Sequence, residues 1–252
     1  MPELFRLIDG NNQFHYHQSR EPTFDMLVDR MIGLMREQHP TQAFMVFDGF
    51  DSRARRREIY PEYKRTAGRI AKAADTQSYT ETYQNLTELK KQLQDEGIPL
   101  IEVAKTEADD IIGMLTKRLG VYYPDAEIQI YSTDRDFHSL GVNPKVQFPY
   151  SSAMAGVQPS EMLLYKSLVG DSSDNIKGMR LFGHKSWEKL DDDSKGALQA
   201  ALEQGHPAPI ERFEAQWESI ELAWKLVNFV YDDALTNYID SLLKERGLCQ
   251  SL

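Results

Sequence analysis

"PLIEVAKTEADDIIGMLTKRLG", residues 99–120, changes its period halfway along. "PLIEV" is an apolar run of strand length, while "EADDIIGMLTKRLG" has helical period and is closed by Gly120. Glu107, Asp109 and Asp110 stand where that helix opens. The same alternation recurs on both sides. "ELFRLI" reads as a strand, and "TFDMLVDRMIGLM" as a helix with Phe24, Leu27, Val28, Met31 and Met35 on one face. "AFMVF" is a buried-strand run, "YTETYQNLTELKKQLQDEG" a helix closed by Gly97, "EIQIYS" a further strand and "KVQFPY" an edge strand. Strands alternating with helices predict an α/β fold with a mainly parallel sheet covered on both faces.

After about residue 158 the strand signals stop. "SEMLLYKSLVG", "SKGALQAALEQG" and the long segment from Pro209 to Gly247 have helical period, with Phe213, Trp217, Ile220, Leu222, Trp224, Leu226, Val227 and Val230 apolar enough to pack onto a body. The expected division is therefore an α/β core over 1–158 and a helical region over 159–252. Only the charged run 51–75 lacks an obvious packing face, so it is either a mobile loop or a helix standing away from the core.

Composition narrows the function. A chain of 252 residues, 41% apolar, can bury a full core. The opening "MPELFRLIDGNN" has no basic start followed by an apolar run, and nothing approaches the roughly 18 apolar residues of a membrane span, so no membrane partner and a cytoplasmic location are expected. The one cysteine, Cys249, excludes an internal disulfide and a cysteine-built zinc site, leaving oxygen or histidine for any metal. The net charge of −10 argues against nucleic acid until its distribution is considered. Arg53, Arg55, Arg56, Arg57, Lys64, Arg65, Arg69 and Lys72 face only Glu58 and Glu62, so that stretch carries +6 and the remainder −16. A solvated face is the simpler reading of a charge run. Tyr60 and Tyr63 lie within it, however, and cations interleaved with aromatics suit a single strand, whose phosphates want charge and whose bases want stacking partners.

In open parallel sheets ligands bind beyond the carboxyl ends of the strands. Asp9 follows "LFRLI", Asp48 follows "AFMVF", Glu107, Asp109 and Asp110 follow "PLIEVAKT", and Asp134 and Asp136 follow "IQIYS". Each alone reads as a helix cap. Seven at one edge repel one another unless cations neutralise them. Asp171 and Asp174 in "LVGDSSDNIKGM" add two more, and their spacing predicts one face of a helical turn aimed at a single ion. Carboxylates without thiolates select hard divalent ions, Mg²⁺ or Mn²⁺. Nine acids suffice for two ions, which at ~4 Å suit in-line attack on a phosphodiester, one activating water and both stabilising the charged oxygens.

"LIDGNN", "VFDG", "YPEYKRTAGR", "TEADDIIGML", "STDRDF" and "LVGDSSDNIKGM" occur in the order and roughly the spacing of the flap endonuclease and 5′-3′ exonuclease family. Over about residues 4–190 the chain resembles its free-standing phage and bacterial members, with similarity to the 5′-nuclease domain of DNA polymerase I. The resemblance implies a PIN-like nuclease core, a helical arch at 51–75 and a C-terminal helix-hairpin-helix near 170–190. It implies two Mg²⁺ ions, with Mn²⁺ able to substitute, on Asp9, Asp48, Glu107, Asp109, Asp110, Asp134, Asp136, Asp171 and Asp174, with Asp9 and Asp48 central to catalysis. Lys64 would be an electrophile on the scissile phosphate, Tyr63 a stacking neighbour, and Arg65 or Arg69 a phosphate guide, with Arg55, Arg56 and Arg57 adding phosphate contacts. Lys177, Gly178, Gly183 and Lys185 would meet duplex DNA at the hairpin, where the family holds phosphate through K⁺. There Leu181 replaces a family glycine. Leucine resists positive φ, so a negative-φ turn is expected, with Lys177, Arg180 or Lys185 taking over from K⁺. The implied activity is hydrolysis of DNA at a 5′ flap, 5′ overhang or junction, and of an RNA–DNA hybrid, by a monomer, leaving 5′-phosphate and 3′-hydroxyl. A DNA-junction binding protein without catalysis and a PIN-type ribonuclease are the alternatives. The filled acidic set argues against the first, and the arch with its hairpin against the second.

Overall fold

A computed structural model describes residues 3–249. Along the chain run β1 (Leu4–Asp9), α1 (Gly10–Gln18), α2 (Phe24–Arg36), β2 (Gln42–Val46), α3 (Ala54–Ile59), α4 (Ala67–Ala74), α5 (Thr76–Asp95), β3 (Leu100–Ile101), α6 (Ala108–Tyr122), β4 (Glu127–Tyr131) and β5 (Val146–Gln147). Then follow α7 (Met162–Val169), β6 (Gly170–Asp171), β7 (Ile176–Lys177), α8 (His184–Trp187), α9 (Asp192–Gln204), α10 (Glu211–Glu214), α11 (Trp217–Val227) and α12 (Asp233–Glu245). The described parts of Met1–Arg55, Thr76–Ser152 and Phe229–Leu252 pack as one unit, and Arg56–Asp75 with Ala153–Asn228 as another.

The first unit is built on a five-stranded sheet in the order β3-β2-β1-β4-β5, every pair parallel. Successive strand residues point to opposite faces, so the apolar runs serve two cores. Phe5, Leu7, Phe44, Val46, Ile128 and Ile130 meet α6 and α12. Ile8, Met45 and Phe47 meet α2 and α5 through Leu27, Met31, Leu34, Leu89 and Leu93. Asp9 ends β1, paired with Val46, so the loops after β1, β2 and β4 leave by the same edge.

The second unit has its own core, in which Leu164, Leu168, Trp187, Leu198, Phe213 and Ile220 are fully buried. Tyr63, Ile176, Ala223, Leu226 and Val227 form a smaller cluster. The short antiparallel pair β6–β7 approaches so closely that a Cβ on Gly178 would collide with the backbone of Val169 and Gly170.

Three expectations change. The boundary near 158 does not hold: Leu235, Ile239 and Leu243 of α12 are buried in the first unit's core, whereas the arch segment from Arg56 packs with the second. Helical periodicity reveals that a face will be buried but not against what. The charged run is neither a loop nor one helix, since it forms α3 and α4, with Thr66 capping α4 through the Arg69 N–H. Leu181 takes φ +62° and stays 92% exposed, so the turn keeps the left-handed geometry expected of glycine. The Phe182 N–H donates to the Met179 carbonyl at 3.1 Å, closing the turn that holds this backbone shape, and the side chain stands in solvent.

Candidate active site

In the first unit the acids at the sheet edge are embedded in a polar lattice. Asp9 caps α1, its Oδ1 accepting from the Asn12 N–H at 3.0 Å, while Oδ2 accepts from Ser132 Oγ at 3.0 Å. The same Ser132 Oγ accepts from the Asp134 N–H, and Asp134 Oδ1 from the Asp136 N–H. Asn12 ties this strand end to its neighbour, with Oδ1 accepting from the Thr133 N–H at 2.9 Å and Nδ2 donating to Thr133 Oγ1. The Asp48 N–H donates to Asn11 Oδ1, and Asp48 Oδ1 accepts from the Ala108 N–H at 2.9 Å, so Asp48 caps α6 from another loop. Glu107 is buried at the N-cap of α6 without a capping bond of its own, and Asp109 is half-buried in the first turn. Asp110 is buried and accepts from the Val230 N–H at 2.8 Å.

Burial pushes the Asp9 carboxyl up to about 7, the nearby charges of Asp48 and Asp134 push the same way, and the bonds from Asn12 and Ser132 only partly offset them. The Asp9 carboxylate thus caps a helix, yet it sits where burial and two neighbouring negative charges make ionisation costly.

In the second unit Asp171 ends β6 and Asp174 lies on the turn that leads to β7, so neither is on a helical turn. Asp171 Oδ1 accepts from the Ser173 N–H and Oγ at 2.8 and 2.6 Å, which folds the chain back sharply. Its other oxygen accepts from Lys166 Nζ at 2.7 Å. Burial alone would raise this carboxyl, but the Lys166 charge and hydrogen bond, with the bonds from Ser173, hold it at about 2. Asp174 gathers three partners from the arch segment. Lys64 Nζ lies 3.6 Å from Oδ2, Tyr63 Oη donates to Oδ2 at 3.3 Å, and Arg69 Nη2 meets Oδ1 at 3.3 Å. The Lys64 N–H also donates to the Asp174 carbonyl at 2.8 Å, with Lys64 at φ +55°. Left-handed backbone at a non-glycine residue is costly and concentrates at functional sites.

The expected nucleic-acid contacts divide. Tyr63 is 3% exposed, its ring packed with Ile176 and Leu226, so it cannot stack on a base as expected. Arg56 is buried and donates to the carbonyls of Leu226 and Asn228 at 3.0 and 2.9 Å. Arg55 pairs with Asp232 at 2.6 Å, and Arg57 Nε donates to the Tyr63 carbonyl. Arg56 therefore braces the fold, while the part-buried Arg55 and Arg57 each hold one partner within it. Arg65, Lys177, Gly183 and Lys185 are exposed, and a Cβ on Gly183 would meet open space, whereas Gly178 is dictated by packing. Sequence reasoning passed over Asn11, Asn12, Ser132, Thr133 and Lys166. The first four flank acids in "LIDGNN" and "STDRDF", a signal that was available. Lys166 lies inside an apolar helix and gave none.

Residues 7–165 match the family model described as the 5′-3′ exonuclease N-terminal, resolvase-like domain. A 5′-3′ exonuclease of Aquifex aeolicus is 26% identical over 80% of this chain and 69% of its own length. A flap endonuclease Xni of Shewanella pealeana is 27% identical over 91% of this chain and 93% of its own. Among solved structures, zinc-bound T5 5′-exonuclease aligns with TM-score 0.75 at 21% identity, covering 96% of this chain and 99% of that one. A T5 flap endonuclease pseudo-enzyme–product complex with DNA and metal ions aligns with TM-score 0.71 at 21% identity, covering 97% and 94%. These structural likenesses establish the shared fold.

Proposed function

The chain belongs to the 5′-3′ exonuclease family, and on that footing we propose that it is a Mg²⁺-dependent nuclease acting on DNA at 5′ flaps and 5′ ends. One observation carries the reading: Asp9, Asp48 and Asp134 converge at the carboxyl edge of the sheet, where burial first, and then the charges of Asp48 and Asp134, raise the Asp9 carboxyl. A fold retains such repulsion where a cation relieves it. The donor set is all oxygen, as hard divalent ions require.

In the first unit Asp9, Asp48, Glu107, Asp109, Asp110, Asp134 and Asp136 would hold a divalent ion. In the second, Asp171 and Asp174 would hold another. Such an ion lowers the pKa of a nucleophilic water and stabilises charge on phosphate oxygens. The chain's own residues prepare the rest. Ser132 and Asn12 fix the orientation of Asp9, Asp48 aligns the start of α6, and Lys64 keeps an ammonium close to Asp174, where it can turn to a scissile phosphate. Mn²⁺ would serve in place of Mg²⁺. Duplex flanking the cut would meet Lys177, Gly183 and Lys185, and the left-handed turn at Leu181 supports retention of a K⁺ contact.

A 5′-labelled flap, incubated with Mg²⁺, with EDTA and beside a matched 3′ flap, tests this. Cleavage only of the 5′ flap and only with metal is expected, while equal cutting of both flaps would refute it. Lys64→Ala should lower kcat by at least ~10²-fold with folding intact, the scale of losing one electrostatic stabiliser of a transition state.

A further inference from the structure

Phe50 stands two residues beyond Asp48 and is 85% exposed. Single exposed apolar side chains are ordinary on protein surfaces. Phe50 differs in the backbone that presents it. The Gly49 N–H donates to the Thr106 carbonyl at 3.1 Å and the Lys105 N–H to the Phe50 carbonyl at 2.7 Å. A Cβ on Gly49 would collide with the Val103 carbonyl, so the two loops touch main chain to main chain. Asp51 at φ +51° and Lys105 at φ +58° hold left-handed backbone on either side of the contact. One of these loops carries Asp48 and the other leads into Glu107. The chain thus accepts strain to lock this segment between two acids of the candidate site, yet leaves the ring out of both cores. Beside it the Lys105 side chain is exposed as well.

We propose that Phe50 is a base-stacking platform for the nucleotide next to the scissile phosphate, with Lys105 supplying a cation for the adjoining backbone. An aromatic face with a neighbouring ammonium is what an unpaired nucleotide binds, because every base offers a π-face and every linkage a negative charge. A ring on a fixed backbone has only two side-chain torsions to lose on binding. The inference rests on the nuclease reading and gives it a substrate contact that Tyr63, being buried, cannot provide.

The test uses the full chain and a 5′-flap DNA carrying 2-aminopurine at the nucleotide beside the cleavage position, with affinity measured in EDTA and cleavage in Mg²⁺. Phe50→Ala should weaken binding about tenfold and abolish the 2-aminopurine quenching seen with the unaltered protein. Phe50→Trp should restore both, and Phe50→Leu neither. The slope of affinity against salt should stay unchanged for Phe50→Ala, since no phosphate contact is lost, and fall for Lys105→Ala. Melting temperatures should match throughout, as the ring packs against neither core. Unchanged affinity and quenching in Phe50→Ala, or full recovery in Phe50→Leu, would overturn the stacking role while unaltered protein still cuts the flap. Failure of the unaltered protein to bind or cut the flap would overturn the nuclease reading and this inference with it.

Discussion

Asp9 and Leu181 each hold a state their residue type disfavours, and each makes a measurable demand on stability. The Asp9 carboxyl, about 7 in the folded chain, has an ordinary value of 3.8. Between those values the folded form keeps a proton that the unfolded chain has released, so without metal stability should fall as pH rises from about 4 to about 7, by on the order of a few kcal/mol. Asp171, held near 2, acts in a separate window: its contribution is present above its ordinary value and fades as pH drops toward 2. Melting curves in EDTA across pH 4–8 should show the first decline, Mg²⁺ should reverse it, and Asp9→Asn should flatten it. Leu181 offers the opposite sign. Left-handed φ costs a β-carbon-bearing residue ~1–2 kcal/mol, and the exposed side chain buries little, so Leu181→Gly should stabilise by roughly 1 kcal/mol, read as a rise in the denaturation midpoint. The identity of Leu181 pointed to a negative φ because residue type reports local preference, whereas the turn closed by the Phe182 N–H on the Met179 carbonyl has the opposite sign.

At the scale of elements, the strands were legible because buried parallel strands are nearly continuous apolar runs, and "LFRLI" and "AFMVF" contain little else, while "EIQIY" alternates with the period of a strand. The acids after them were legible too, since topology alone sends those strand ends to one edge. The arch was not. A run of arginines shows charge but not whether a guanidinium reaches solvent or a carbonyl, and α3 turns Arg56 inward onto the end of α11. Arg56→Ala should therefore cost stability, on the order of 2–4 kcal/mol for unpaired buried carbonyls and a lost charged hydrogen-bond donor. Its DNA affinity, measured where the variant stays folded, should keep the same salt slope. A reduced slope with unchanged melting temperature would instead make Arg56 a phosphate contact.

Across the whole molecule, neither packed unit is a continuous stretch of chain, since the sequence passes from one to the other after Arg55, Asp75, Ser152 and Asn228. Periodicity could not reveal this, because it ranks faces by apolarity and is silent on which distant partner each one meets. A chain ending at Asp232, which lacks Leu235, Ile239 and Leu243, should leave the core between α6 and the β1–β2–β4 face incomplete and fail to fold cooperatively, as seen in near-ultraviolet circular dichroism. The same interleaving bears on synthesis. At ~5–20 residues per second, a ribosome takes tens of seconds to make the chain. Asp9 and Asp48 emerge well before α12, the helix that completes the core beneath their sheet. A nascent chain therefore carries these acids without the packing that aligns them, and cutting power should arise abruptly once α12 has been made rather than growing with length.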